Sequence, residues 1–168
     1  MTRSVLLRVS IIFLSFLVFP VAFGQTVPAP DGWTASQQGA NWVYKASKLA
    51  APAVVTVTVE PAQSIDGKDL SAWFESRMKA DAASRGKLEK IHKINAPQGM
   101  QLENRDYRDS ANQLWLLSYI GIQVAPQKGL FCAVAATPPE STGAYVRAGG
   151  SICGSFAKKL KQTTTAAK

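Results

Sequence analysis

The chain holds two cysteines, Cys132 in GLFCAVAA and Cys153 in GGSICGSF, and one histidine, His92 in LEKIHKIN. A Ser-His-Asp or Cys-His catalytic arrangement would have to use that histidine. It lies among lysines, where a solvated position is expected. Neither cysteine belongs to a Cys-X-X-Cys motif, and neither falls at an expected helix N-terminus, so nothing marks a reactive thiolate. One histidine and two distant cysteines fall short of a tetrahedral metal set. No GxxxxGK[ST] or GxGxxG phosphate cradle is present. Glu103, Asp106 and Asp109 are spread along an expected exposed strand and turn, with no pair singled out for glycoside chemistry. The sequence therefore nominates no catalytic, cofactor-binding or metal-binding residue.

What the cysteines do depends on compartment. Arg3 and Arg8 precede an apolar run, Ile11 to Phe19, that is broken only by Ser15. Pro20 follows, and Ala22-Phe23-Gly24 puts small residues at both cleavage-determining positions. This is the layout of a secretory signal peptide over residues 1–24, cut before Gln25. The run is about half the 20 apolar residues that a membrane span requires, so no span is expected after cleavage. The expected location is the periplasm or the outside medium.

The net charge of the whole chain is +8. Lys158, Lys159, Lys161 and Lys168 concentrate the basic charge near the C-terminus, and the body is closer to neutral. That pattern argues against a nucleic-acid-binding surface. It leaves open contact with an anionic surface, although cations also complement the dipole at a helix C-terminus.

The elements that would position these residues follow from pattern. Residues 25–32 form a Pro-rich, mobile leader. GWTAS and NWVYKAS flank a Gly-containing turn and read as a hairpin, with Trp42 and Tyr44 on one face. AVVTVTVE is a strand with Val55, Val57 and Val59 on one side. Leu70, Trp73, Phe74 and Met78 have helical spacing, with Trp73 and Phe74 expected in the core, Asp66 or Asp69 as the cap and Gly86 as the stop. KLEKIHKINAPQG fits either a short strand or a continuation of that helix. MQLENRDY alternates as an exposed strand would, and NQLWLLSYIGIQV reads as a central strand. LFCAVAA is its hairpin partner. Tyr145 to Leu160 forms a last helix with Tyr145, Gly149, Ile152, Phe156 and Leu160 in one stripe, and residues 162–168 form a disordered tail. The fold class is α+β, one domain over residues 33–161, with a mainly antiparallel sheet and two helices packed on it. Trp33, Trp42, Trp73 and Trp115 fill the core or line a groove.

The opening PDGW, the hairpin, the helix after VTVTV, and the C-terminal ATPP…Y…ICGSF with its Ser155-Phe156 pair resemble the PsbP-like superfamily in its exported bacterial form. The resemblance spans most of Asp31 to Lys161. It implies an envelope protein without catalysis that binds or helps assemble something, and it transfers no site residue. An envelope protein or an anionic surface is the partner expected.

In an oxidising compartment, Cys132 and Cys153 are expected to form a disulfide. Counting along strand and helix brings them to one level. Gly149, Gly150 and Gly154 would let the helix approach closely enough for the Cα separation that a bridge needs. The functional expectation is an exported, non-enzymatic binding or assembly module. Its rivals are a small hydrolase using carboxylates or His92, and a protein acting through its basic C-terminal tail.

Overall fold

Val55, Val57 and Val59 are almost wholly buried, while Val54, Thr56 and Thr58 between them keep partial exposure. That alternation places their strand near the middle of a sheet with unlike faces. In the computed structural model, which describes residues 27–67 and 69–166, the elements run as follows. Strands β1 (Trp33–Gln38), β2 (Asn41–Ala46), β3 (Val54–Val59) and β4 (Gln63–Ser64) precede helix α1 (Leu70–Ala82). Strands β5 (Lys87–Lys93), β6 (Met100–Arg108), β7 (Leu114–Ala125) and β8 (Lys128–Thr137) lead to helix α2 (Pro139–Ala166). The expected signal peptide, residues 1–24, lies outside the described residues.

The sheet order is β1-β2-β3-β8-β7-β6-β5, with β4 on β8, and the pairings are antiparallel. The two helices pack on it, so the fold is α+β. They lie on opposite faces. Trp73, Phe74 and Met78 of α1 pack with Tyr107, Leu117, Tyr119, Phe131, Ala133 and Ala135. Ile152, Cys153, Phe156 and Ala157 of α2 pack with the valines of β3, with Ile120 and Ile122 of β7, and with Leu130, Cys132 and Val134 of β8. β7 and β8 therefore carry apolar side chains on both faces, which explains their unbroken hydrophobic runs.

Local chemistry sets the ends of the elements. The Asp69 carboxylate accepts the Ala72 N–H at 2.7 Å and caps α1. Gly86 has φ of +101°, and a Cβ there would lie 2.5 Å from the Arg108 carbonyl oxygen, so only glycine fits the approach to β6. On α1, the Asp81 carboxylate receives Arg85 and the Tyr119 hydroxyl, the latter at 2.9 Å. Burial first, then the Asp81 charge, pushes the Tyr119 phenol well above its ordinary range.

One open reading is settled and four expectations change. The ambiguous KLEKIHK segment is strand β5 at the sheet edge. β6 is not an exposed strand but lies between β5 and β7, and its residues are half-buried or buried. α2 starts at Pro139 rather than Tyr145, where Pro at a first helical position costs no hydrogen bond and the buried Thr142 hydroxyl donates to the Pro138 carbonyl at 3.0 Å. It continues to Ala166 rather than fraying from Gln162, with the Thr163 and Thr164 hydroxyls on the carbonyls one turn back. The leader is tied down at Val27, whose carbonyl accepts the Tyr44 hydroxyl at 2.6 Å.

The expected Cys132–Cys153 bridge is absent. Both are free, fully buried thiols. The helix does come close, because a Cβ on Gly149 would lie 2.9 Å from methyl groups of Val57 and Val134. That contact brings the thiols together as packing neighbours without a bond between them. Gly150 and Gly154 take no part in the close approach: a Cβ on Gly150 would meet only Ile120, at 3.8 Å, and one on Gly154 nothing within 4 Å.

Candidate functional site

The helices do not cover the whole sheet. α2 packs over β3, β8 and β7. On its side of the sheet, β6 and β5 carry Met100, Leu102, Asn104 and Asp106, then His92 and Lys90. The register fixes their neighbours. Met100 pairs with Ile122, Leu102 with Ile120 and Asn104 with Ser118, and His92 lies across from Asn104 on the other side. A polar row, Ser118–Asn104–His92, thus crosses three strands beside an apolar stretch made by Met100, Leu102, Ile120 and Ile122.

The polar row is unevenly satisfied. His92 Nε2 and Asp106 Oδ2 are 2.9 Å apart, and the histidine side chain is 38% exposed. Ser118 is 4% exposed. Asn104 Oδ1 is shut off from solvent and, among the described residues, has no hydrogen-bond partner. Leaving a buried acceptor unmet costs about 1–3 kcal/mol, so this oxygen is an expense in the free protein.

The apolar stretch opens into a cleft of about 340 Å³ lined by Met100, Ile122, Gly154, Ala157, Lys158 and Lys161. Gly154 lacks a packing reason, since a Cβ there would meet nothing within 4 Å among the described residues, and its bareness keeps the cleft wide. Lys158 and Lys161 are exposed on the helix beside it. Along β6, Met100 to Asn104 spans roughly 13 Å at strand rise. The surface thus runs from a cation-rimmed apolar cleft to a hydrogen-bonding row.

The other candidates are dispersed. Glu103 faces the α1 side and holds Arg105 at 2.6 Å, whereas Asp106 faces the α2 side. Asp109 accepts the Trp115 indole N–H at 2.9 Å and the Gln113 and Ala111 amides, which hold its carboxyl below the ordinary aspartate range. These three carboxylates form no facing pair. The tryptophans divide between the faces: Trp33 and Trp42 pack with the α2-side core, Trp73 and Trp115 with the α1-side core. Trp42 also lines a pit of about 130 Å³ with Leu130, Phe156 and Leu160.

His92 has an acidic partner but, among the described residues, no adjacent nucleophile. With strands about 4.8 Å apart, the backbone of Ser118 lies two strand spacings away, and Asn104 stands between. The cysteines are sealed in the core, where burial first and the hydrogen bond with Cys153 next push the Cys132 thiol well above its usual range. Among the described residues, no group of three His, Cys, Asp or Glu side chains could hold a metal ion. Sequence reasoning missed Asn104, Ser118 and the His92–Asp106 pair, because only register puts residues from three strands side by side.

No protein-family model matches the chain, and no curated protein matches it. Among solved structures, a Pseudomonas aeruginosa protein of unknown function, PA94, is similar over 69% of this chain and 92% of its own, at 17% identity and a TM-score of 0.40.

Proposed function

We propose that this protein is an exported binding module of the cell envelope that works without catalysis and takes its ligand on the open face of β5–β7 beside α2. The observation that carries this reading is the orphaned Asn104 Oδ1 in the polar row. A rotation of the Asn104 side chain toward the cleft would bring that acceptor, shut off from solvent in the free protein, to a ligand donor and remove its cost on binding. The neighbouring surface indicates the rest of the ligand: an apolar body for Met100, Ile122 and Ala157, and an anionic end toward Lys158 and Lys161. This gives the basic C-terminal segment a role as the rim of the cleft. The resemblance to the PsbP-like superfamily points the same way.

The His92–Asp106 pair favours a hydrolase as the second reading. Ser118 lies two strands away from that pair, a spacing that fits binding better than nucleophilic catalysis.

The test is Asn104→Leu. With no ligand present, the variant is expected to be at least as stable as wild type, because it removes an unmet acceptor from a half-buried site. Amphipathic anions with a hydrogen-bond donor are then screened by thermal shift against both proteins. Hits should raise the melting temperature of wild type and not of the variant. A loss of more than about 1 kcal/mol in the free variant would show Asn104 to be a structural residue and sink the reading.

A further inference from the structure

Among the described residues β5 is an edge strand, with β6 on one side and no strand on the other. Its sequence is KLEKIHK. The exposed large hydrophobic residues of the described structure are Leu88 at 41%, Ile91 at 45% and Ile94 at 39%. They all fall on this strand or the residue after it. Single exposed apolar residues need no explanation, but a group confined to one unpaired strand marks an interaction site.

The register sorts the side chains. Leu88 and Ile91 lie opposite Tyr107 and Arg105, on the α1 side. Lys87 and Lys90 lie opposite Arg108 and Asp106, on the α2 side. Neither helix reaches this strand with a substantial contact. The edge therefore offers Leu88 and Ile91 on the α1 side, with Lys93 beyond them opposite Glu103, and two lysines on the α2 side. Glu89 is shared by Lys87 at 3.3 Å and Arg108 at 3.6 Å, so the strand's single acid is neutralised within the molecule, and the exposed Lys87 can turn to a partner carboxylate while Arg108 holds Glu89.

A second copy of the chain is a poor occupant. Antiparallel self-pairing centred on Lys90 would set Lys90 against its twin, and any register would gather six lysines, Lys87, Lys90 and Lys93 of each copy, against two glutamates along one seam. Like charges directly opposite destabilise a strand pair, and edge lysines are a common guard against self-association. The same charges attract an acidic strand.

We propose that the β5 edge is a docking site for an extended acidic segment of a partner protein, added as a further strand of the sheet. The partner segment alternates acidic and apolar residues. Its carboxylates meet Lys87 and Lys90, its apolar side chains meet Leu88 and Ile91, and its main chain takes the open edge hydrogen bonds. This site is separate from the Asn104 row and does not depend on it.

The probe is an eight-residue peptide alternating Glu and Val, titrated against the chain from Gln25 onward by fluorescence anisotropy. Two controls are a Lys-Val peptide and a Glu-Val peptide N-methylated at alternate amides, which keeps the charge and cannot complete the edge. The Glu-Val peptide is expected to bind and to protect the amides of 87–93 from hydrogen exchange. N-methylation, Lys90→Glu and Ile91→Asp are each expected to weaken it by roughly tenfold or more. Both substituted residues are exposed, and circular dichroism verifies that the variants are folded. Equal binding of the N-methylated peptide would reduce the interaction to charge attraction and overturn the proposal. So would no binding at millimolar peptide, equal binding of the Lys-Val peptide, or a dimer in sedimentation that Ile91→Asp abolishes.

Discussion

Cys153 lies one helical turn beyond Gly149, and Cys132 lies two residues before Val134 on the same strand face. The Gly149 contact that draws α2 onto Val57 and Val134 therefore also brings the thiols together. Their arrival at one level was legible from counting residues along strand and helix. Whether they bond was not, because a bridge depends on ångström-scale separation that residue counts do not resolve. The prediction is that a thiol reagent finds no reactive cysteine in the native protein and two per chain after unfolding without reductant. None after unfolding would restore the bridge. Asn104 and Asp109 illustrate the same limit. Both look like ordinary polar residues in the sequence, yet one ends as an unmet acceptor and the other as the hub of three hydrogen bonds.

At the scale of elements, periodicity identified α1, β3, β7 and β8, since each carries a long apolar pattern against a large core. It left β5 undecided, because a strand at the sheet edge buries little and its pattern is correspondingly faint. It took β6 for an exposed strand, whereas its residues are half-buried or buried and its half-polar sequence comes from a region of the sheet that α2 does not cover. The α2 glycines look alike in sequence and differ in the fold. Gly149→Ala is expected to destabilise the protein by about 1–3 kcal/mol, because the methyl meets Val57 and Val134 at 2.9 Å and the core there has no slack. Gly154→Ala meets nothing and is expected to stabilise by up to about 1 kcal/mol through helix propensity, while narrowing the cleft beside Met100. Urea denaturation of the two variants separates them; equal effects would mean that the cleft and the close contact are misassigned.

For the whole molecule, export is the proposal that sets the setting for both binding surfaces. Intact-mass analysis of the exported product is expected to give a chain beginning at Gln25; a product retaining Met1 to Gly24 in the membrane fraction would contradict it. Among the described residues, no helix is long and apolar enough to cross a membrane. The sequence by itself determined the α+β class, most of the elements, the faces of β3 and α2, and the core roles of Trp73 and Phe74. These follow from patterns repeated every two or three to four residues along the chain, and burial enforces them locally. Only the tertiary structure decided that the helices lie on opposite faces, that β6 and β5 extend past α2, and that Ser118, Asn104 and His92 form one row. Strand order and register are settled by pairing between segments distant in sequence. A side chain's function here depends on which strand lies beside it, and no local pattern records that.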